Sequence, residues 1–487
     1  MYPSRYFIGF VVPSLALLVL APVAQAADIK PTNVLFIICD DLNPSLGCYG
    51  DTRVKSPNID RLAARGVRFD RPYCQYPLCN PSRVSFLSGR RPETSGVYVL
   101  NTPARKALPE AVMLPQFFRQ RGYFSAGAGK VFHNAKVSDA ASWDLYEDDV
   151  TQDPEEMAAI ESRYGAGEAG GGDGRPASFM LTSDGARTRD GRNVRTILRL
   201  MQEQNAAGKP FFLAAGFHKP HLPWTAPKKF FDLYPPGSLT PKAEPAMQDV
   251  PAIALQTELS GFAQPDSREA AIRGYYACIS FTDSHVGMLL DELERLNLWK
   301  NTVVVLIGDN GFHLGDHGGL WAKLSAFDNA TRVPMIIAGA GVPAGRVVNA
   351  PVELLDVYPT LAELCQAPAP AGLEGQSLVA LMRAESSATR RPAASMVFHY
   401  DAAKRTDVMS RTVIAANWRY TEWDGGSRGL ELYVRADDPG EYRNRAADTT
   451  QVASRKAGAE FLHGLPVPKP GPANRPRALL PAGEKMN

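Results

Sequence analysis

Two stretches far apart in the chain share one design. Asn33-Val-Leu-Phe-Ile-Ile-Cys-Asp-Asp41 is an unbroken apolar run that ends in two acids, and Thr302-Val-Val-Val-Leu-Ile-Gly-Asp-Asn310 is another that ends in an acid and an amide. A strand with one wet face alternates apolar and polar side chains. Runs without alternation, rich in β-branched residues, belong to strands covered on both faces, as in a parallel α/β sheet. Ligand sites in such sheets lie beyond the carboxyl ends of the strands, where both polar pairs fall. The two ends can therefore meet, although 269 positions separate Asp41 from Asn310.

Other segments agree. Residues 209–216 and 333–338 read as further strands, residues 354–364 as a short helix. Residues 267–296 place Ile272, Tyr276, Ile279, Val286, Leu290 and Leu293 on one helical face. Residues 396–400, 411–416 and 418–423 suggest a small antiparallel sheet, after a polar stretch near 384–394 that marks a domain boundary. The glycine-rich stretch GAGEAGGGDGRP (165–176) follows no apolar strand, so it reads as a surface loop, not a phosphate cradle.

Residues 1–26 have the layout of a signal peptide: Arg5, an apolar run over 6–20, and the small-residue site Ala24-Gln25-Ala26. The run is short for a membrane span and broken by Pro13, so the expectation is a chain exported to the periplasm or beyond, free of the membrane once processed. The expected organisation is a catalytic domain over 27–385 and a C-terminal subdomain with a proline-rich tail over 386–487. A net charge of +2 over 487 residues gives no reason to expect nucleic acid. Of the six cysteines, Cys39 or Cys48 could pair with Cys74 in an exported chain; no C-x-x-C pair suggests structural zinc.

The chemistry concentrates in few places. Asp40, Asp41, Asp309 and Asn310 offer only oxygen ligands, the set that hard cations such as Ca2+ or Mg2+ prefer. Either pair alone is ordinary strand-terminating turn chemistry; two pairs after two buried strands point to a metal. In QYPLCNPSRVSFLSGRR (75–91), Asn80 suits an N-cap and Pro81 the first helical position. Cys79 and Arg83 then lie at the positive end of a helix, a place for an anion. His285, His399 and His463 read as packing or surface residues, and Arg105 and Lys106 as solvated charge. For His313 and His317, contact with substrate and a bystander role are equally open. Trp224 and Trp321 could pack or stack on a sugar, and Arg90 and Arg91 could brace the site or end a helix.

The motifs together resemble the formylglycine-dependent sulfatase family. Cys79-Asn-Pro-Ser-Arg83 fits its C-x-P-S-R core and Leu87-Ser-Gly-Arg90 the continuation. Gly129-Lys-Val-Phe-His133, Gly216-Phe-His-Lys-Pro-His221, Gly308-Asp-Asn310 and Leu320-Trp-Ala-Lys323 follow in family order, with Glu431-Leu-Tyr433 and Asp438-Pro-Gly-Glu441 resembling the C-terminal signature. The His133 spacing, FHKPH and the stretch from Trp321 to Asp328 look most like the iduronate-2-sulfatase branch. Asn310 departs from that branch, which carries histidine there, and Val434 stands where the signature has aspartate.

The resemblance implies an alkaline-phosphatase-like α/β sandwich with a mostly parallel central sheet and a small C-terminal α+β subdomain. It implies that a formylglycine-generating enzyme converts Cys79 to 3-oxoalanine, whose hydrate is the nucleophile. One divalent cation, Ca2+ ahead of Mg2+, would be held by Asp40, Asp41, residue 79, Asp309 and Asn310. Arg83, Lys130 and Lys323 would hold the sulfate, His221 with Lys323 would protonate the leaving alcohol, and His133 would deprotonate the remaining hydroxyl of residue 79. The implied substrate is a sulfated saccharide. The same groups suit a phosphomonoester, phosphodiester or phosphonate hydrolase of that superfamily. A secreted carbohydrate-binding protein with an inactive site is the alternative of another class.

Overall fold

The computed structural model describes residues 1 and 32–470, except 152, 165–177, 242, 257–264, 386–389, 402–403 and 405. Apart from Met1, the expected signal peptide lies outside the described residues, as do the glycine-rich stretch and the tail beyond 470.

An eight-stranded sheet runs Arg346–Glu353, Gly66–Tyr73, Met335–Gly339, Thr302–Gly308, Asn33–Asp40, Phe211–Pro220, Phe124–Gly129, Leu145–Glu147 from edge to edge. The two apolar runs are its central neighbours, parallel and level from Asn33↔Thr302 to Cys39↔Gly308. Their lack of alternation has a direct cause. Leu35, Ile37, Val304 and Leu306 point into one core, and Val34, Phe36, Ile38, Val303, Val305 and Ile307 into the other. Each such aliphatic side chain contributes roughly 1.5–3 kcal/mol on leaving water. The first core takes helices Arg189–Ala206 and Pro265–Arg295; the second takes Cys79–Ser88 and Val357–Leu364. Met335–Gly339 alone runs antiparallel to both its neighbours, so the sheet is mixed but mostly parallel.

A second sheet, Ala393–Asp401, Thr406–Ile414, Trp418–Trp423 and Gly429–Val434, is antiparallel throughout and carries helix Val452–His463. Its fourth strand holds the Glu431-Leu-Tyr433 motif. Met396, Val397, Phe398 and Trp423 pack against Tyr76, Leu78 and Tyr98, that is, against the segment that leads into Cys79. Among the described residues no helix is long and apolar enough to cross a membrane.

Two local expectations are corrected. All six cysteines are free. Cys39 packs on one face of the large sheet with Cys48 beside it, whereas Cys74 packs on the other face, so the sheet itself separates the expected partners. The helix also begins two residues early: Leu78 is the N-cap and Cys79 the first helical residue. Asn80 does not cap; its Nδ2 donates to the carbonyls of Val99 and Thr102, both at 2.9 Å.

Candidate active site

The strand tips are latched together by backbone and side chain. Beyond Cys39 the pairing with Phe211–Pro220 slips, so that Asp40 faces Pro220, and Asp41 turns at a φ of 58°. Asp tolerates that left-handed conformation better than most residues, and here it swings two successive carboxylates to one side. Asp309 Oδ1 accepts from the amides of Asp41 at 3.0 Å and Asn310 at 2.8 Å. On the neighbouring strand, a Cβ at Gly216 would stand 2.2 Å from the Lys130 backbone, so only glycine lets Lys130 N–H reach the Gly216 carbonyl at 2.9 Å.

Helix Cys79–Ser88 enters this floor end-on. Arg83 is fully buried: Nε donates to Asp309 Oδ2 at 2.8 Å, Nη2 to Asp40 Oδ1 at 3.1 Å, and Nη1 to the Lys130 and Val131 carbonyls. Ser82 Oγ donates to the Asp309 carbonyl. Lys130 Nζ reaches Asp40 Oδ2 and lies 3.6 Å from Cys79 Sγ; Lys323 Nζ reaches Asp41 Oδ1 and lies 3.1 Å from the same sulfur. Lys323 is aimed by its neighbours, since Ala322 and Leu324 both have left-handed backbones (φ 66° and 61°).

Three histidines border the cluster. His221 Nδ1–H donates to the Leu222 carbonyl at 2.6 Å, which leaves Nε2 facing Asp41 Oδ2 at 3.7 Å. His218 Nδ1 stands 3.7 Å from Asp40 Oδ2, and the two rings are 4.8 Å apart. His133 Nδ1 is buried with no hydrogen-bond partner among the described residues. A cavity of about 310 Å3 opens against His218 and His221, with Val150, Ile160, Arg189 and Lys219 in its walls.

The electrostatics follow from burial. Burial alone would raise the Asp40 carboxyl, but Lys130, His221 and Arg83 hold it well below the usual carboxylate range. Burial raises Asp309 despite Arg83, with Asp40 and Asp41 adding to the rise. Among the described residues Asn310 Oδ1 is buried without a hydrogen-bond partner, while its Nδ2 donates to Asp41 Oδ1 at 2.7 Å. An orphaned amide oxygen among carboxylates suits a hard divalent cation, so the residues fit the ion that the sequence implies. Ligand atoms of Asp40, Asp41 and Cys79 lie within 4.8 Å of one another. Burial pushes the Cys79 thiol up to about 12, with Asp40 adding to the rise, so as an unmodified side chain it stays neutral and a poor nucleophile. Burial, helped by Lys130, brings His133 down to about 2; burial also brings His221 down to about 4 against the pull of Asp41.

Residues 32–367 match the sulfatase family, and residues 315–459 match the family described as N-sulphoglucosamine sulphohydrolase, C-terminal. The chain belongs to the sulfatase family. This sulfatase is 33% identical over 446 residues to a sulfatase of Formosa agariphila, covering 86% of this chain and 84% of that one. It is 35% identical over 393 residues to iduronate 2-sulfatase of Mus musculus, covering 69% of each chain. The solved phosphonate monoester hydrolase of Agrobacterium radiobacter shares its fold, with a TM-score of 0.72 at 21% identity, covering 89% of this chain and 95% of that one. This sulfatase is thus a metal-dependent hydrolase whose metal-binding, formylglycine-type site holds Asp40, Asp41 and Cys79.

The structure brings together Asp40, Asp41, Cys79, Arg83, Lys130, Asp309, Asn310 and Lys323, with His221 at the border. His313 and His317 turn elsewhere, toward Asp316. Trp224 and Trp321 are buried, and Arg91 is buried in an ion pair with Glu353. Sequence reasoning undervalued His218 and Ser82. The signal for Ser82 was its place in the C-x-P-S-R motif; that for His218 was its spacing of three from His221.

Proposed function

We propose that this sulfatase is exported by its N-terminal segment and removes sulfate from a sulfated carbohydrate, in the manner of an iduronate 2-sulfatase. Residue 79 acts as formylglycine, and Asp40, Asp41, Asp309, Asn310 and residue 79 hold Ca2+ in preference to Mg2+. Residues 27–385 carry the chemistry and residues 386–487 form the accessory subdomain. The observation that carries the reading is the convergence of two ammonium groups on one buried sulfur: Lys323 Nζ at 3.1 Å and Lys130 Nζ at 3.6 Å from Cys79 Sγ. Likeness to iduronate 2-sulfatase of Mus musculus supports the sugar class.

When present, the aldehyde hydrate supplies the attacking oxygen and the divalent ion supplies positive charge beside the sulfate. The chain's own groups do the rest. Lys130 and Lys323 stand where sulfate oxygens gather charge and stabilise it. Arg83, already bound to Asp40 and Asp309, works against burial in favour of their ionised forms and holds them in place. His221 keeps its Nδ1 proton on the Leu222 carbonyl, so Nε2, beside Asp41, is the atom at which the imidazolium form holds the second proton, the one that passes to the departing alcohol. His133, neutral and with Nδ1 unpartnered among the described residues, takes the proton from the hydroxyl of residue 79.

Sulfate and phosphate monoesters assayed side by side test the reading. Faster sulfate release is expected; faster phosphate release would overturn it. Mass spectrometry of the peptide holding residue 79 should show conversion of the thiol to the aldehyde, and Cys79→Ala should have no turnover.

A further inference from the structure

Past the second strand tip the chain gathers ligands of a different kind. His313, Asp316 and His317 are buried, and their Nδ1, carboxylate and Nδ1 atoms lie within 4.8 Å of one another. Both imidazoles present Nδ1, and both present it to the same oxygen, Asp316 Oδ1, with His317 at 2.9 Å and His313 closer. The other carboxylate oxygen accepts from the Leu314 amide at 3.0 Å. The far ring nitrogens are anchored: His317 Nε2–H donates to the Gly440 carbonyl at 2.8 Å, and His313 Nε2 pairs with Ser325 Oγ at 2.6 Å.

The Gly440 contact decides the tautomer of His317. A carbonyl only accepts, so the proton of the neutral ring sits on Nε2 and the Nδ1 lone pair faces the lone pairs of a carboxylate. A cation has to stand between them, either a proton on the ring or a metal ion. We infer that His313, Asp316 and His317 form a second metal site, for Zn2+ or a cation of similar softness. Two imidazoles and a carboxylate are a donor set that zinc takes, and they differ in kind from the all-oxygen pairs at the first site. Each ring is held by its second nitrogen, the arrangement that orients metal-ligating histidines. Left-handed turns at Gly315 (φ 80°) and His317 (φ 50°) fold the loop around that centre. An ion there would tie the loop to Gly440 and, through Ser325, to the backbone two residues from Lys323.

The inference is independent of the sulfatase reaction. Full-length protein is stripped with a chelator, then dialysed against Zn2+ in the presence of excess Ca2+, and bound metal is counted; Co2+ in place of Zn2+ reports the ligand field in the visible spectrum. The expected result is one Zn2+ per chain and the absorption of a low-coordinate, nitrogen-ligated Co2+. Cys79→Ala retains both, and His317→Gln and Asp316→Asn lose both. Absence of Zn2+ and of the Co2+ spectrum in the unmutated chain overturns the inference, as does Zn2+ that is lost in Cys79→Ala. If the loop variants fail to fold, His218→Gln and His221→Gln decide: both keep the bound Zn2+ when the loop holds it, and its loss in either overturns the inference.

Discussion

Arg83 touches both strand tips at once, and no other side chain could do so in its place. Its planar fork meets Asp40, Asp309 and two carbonyls. Replacing it with methionine strands two buried carboxylates, and breaking such a network costs about 3–5 kcal/mol. Arg83→Met should therefore show that loss in urea denaturation together with loss of turnover. Arg83→Lys should rescue neither, since an ammonium is a point charge without the fork. The two histidines are separable by leaving group. His221→Ala should lower kcat by about 10²–10⁴ for a sugar sulfate but far less for nitrophenyl sulfate, whose phenolate leaves without a proton. His133→Ala should slow both substrates alike, because it acts after the alcohol has gone.

At the scale of elements, the short strand Leu320–Ala322 and the long helix Pro265–Arg295 make different demands. Ala322 spends roughly 1 kcal/mol on its left-handed backbone. Ala322→Gly should keep activity and gain a little stability, whereas Ala322→Val should lower kcat by misaiming Lys323, readable from rates and melting temperatures. His285 lies within the long helix between the rings of Phe217 and Phe281, at 5.5 and 4.4 Å. Burial brings its pKa from 6.5 down to about 3. Below 6.5 the unfolded chain takes up a proton that the folded chain refuses, so stability is full above that pH and falls as the pH drops toward 3. His285→Phe should flatten this acid limb in a plot of melting temperature against pH. These elements were legible to different degrees. The central strands announced themselves because burial on both faces removes alternation, and the metal pairs because they end those strands. The start of the Cys79 helix was misread by two residues, since Asn80 looks like a cap until the Val99 and Thr102 carbonyls claim it. The supposed disulfides failed because sequence does not say which face of a sheet a cysteine points to. His313 and His317 showed no partner until the loop closed on Asp316.

At the scale of the whole molecule, the second sheet is a support for the nucleophile's own segment. Trp423 donates through Nε1 to Glu431 at 2.7 Å and packs in the cluster that includes Tyr76 and Leu78. Trp423→Ala should cost about 3–5 kcal/mol. Because Leu78 precedes Cys79, kcat should also fall at temperatures where the variant is still folded, measured by parallel calorimetry and rates. The burial of Cys79, 1% exposed at the floor of the site, has a further result. No second protein can close around a side chain so placed. Folded chain carrying the thiol, incubated with the formylglycine-generating enzyme, should stay a thiol, whereas a short peptide spanning residues 75–91 should be converted. On that outcome ripening would have to outrun collapse on the emerging polypeptide: a copy that closed up first would be sealed inert for life, and the share of competent molecules in a culture would record the outcome of that race.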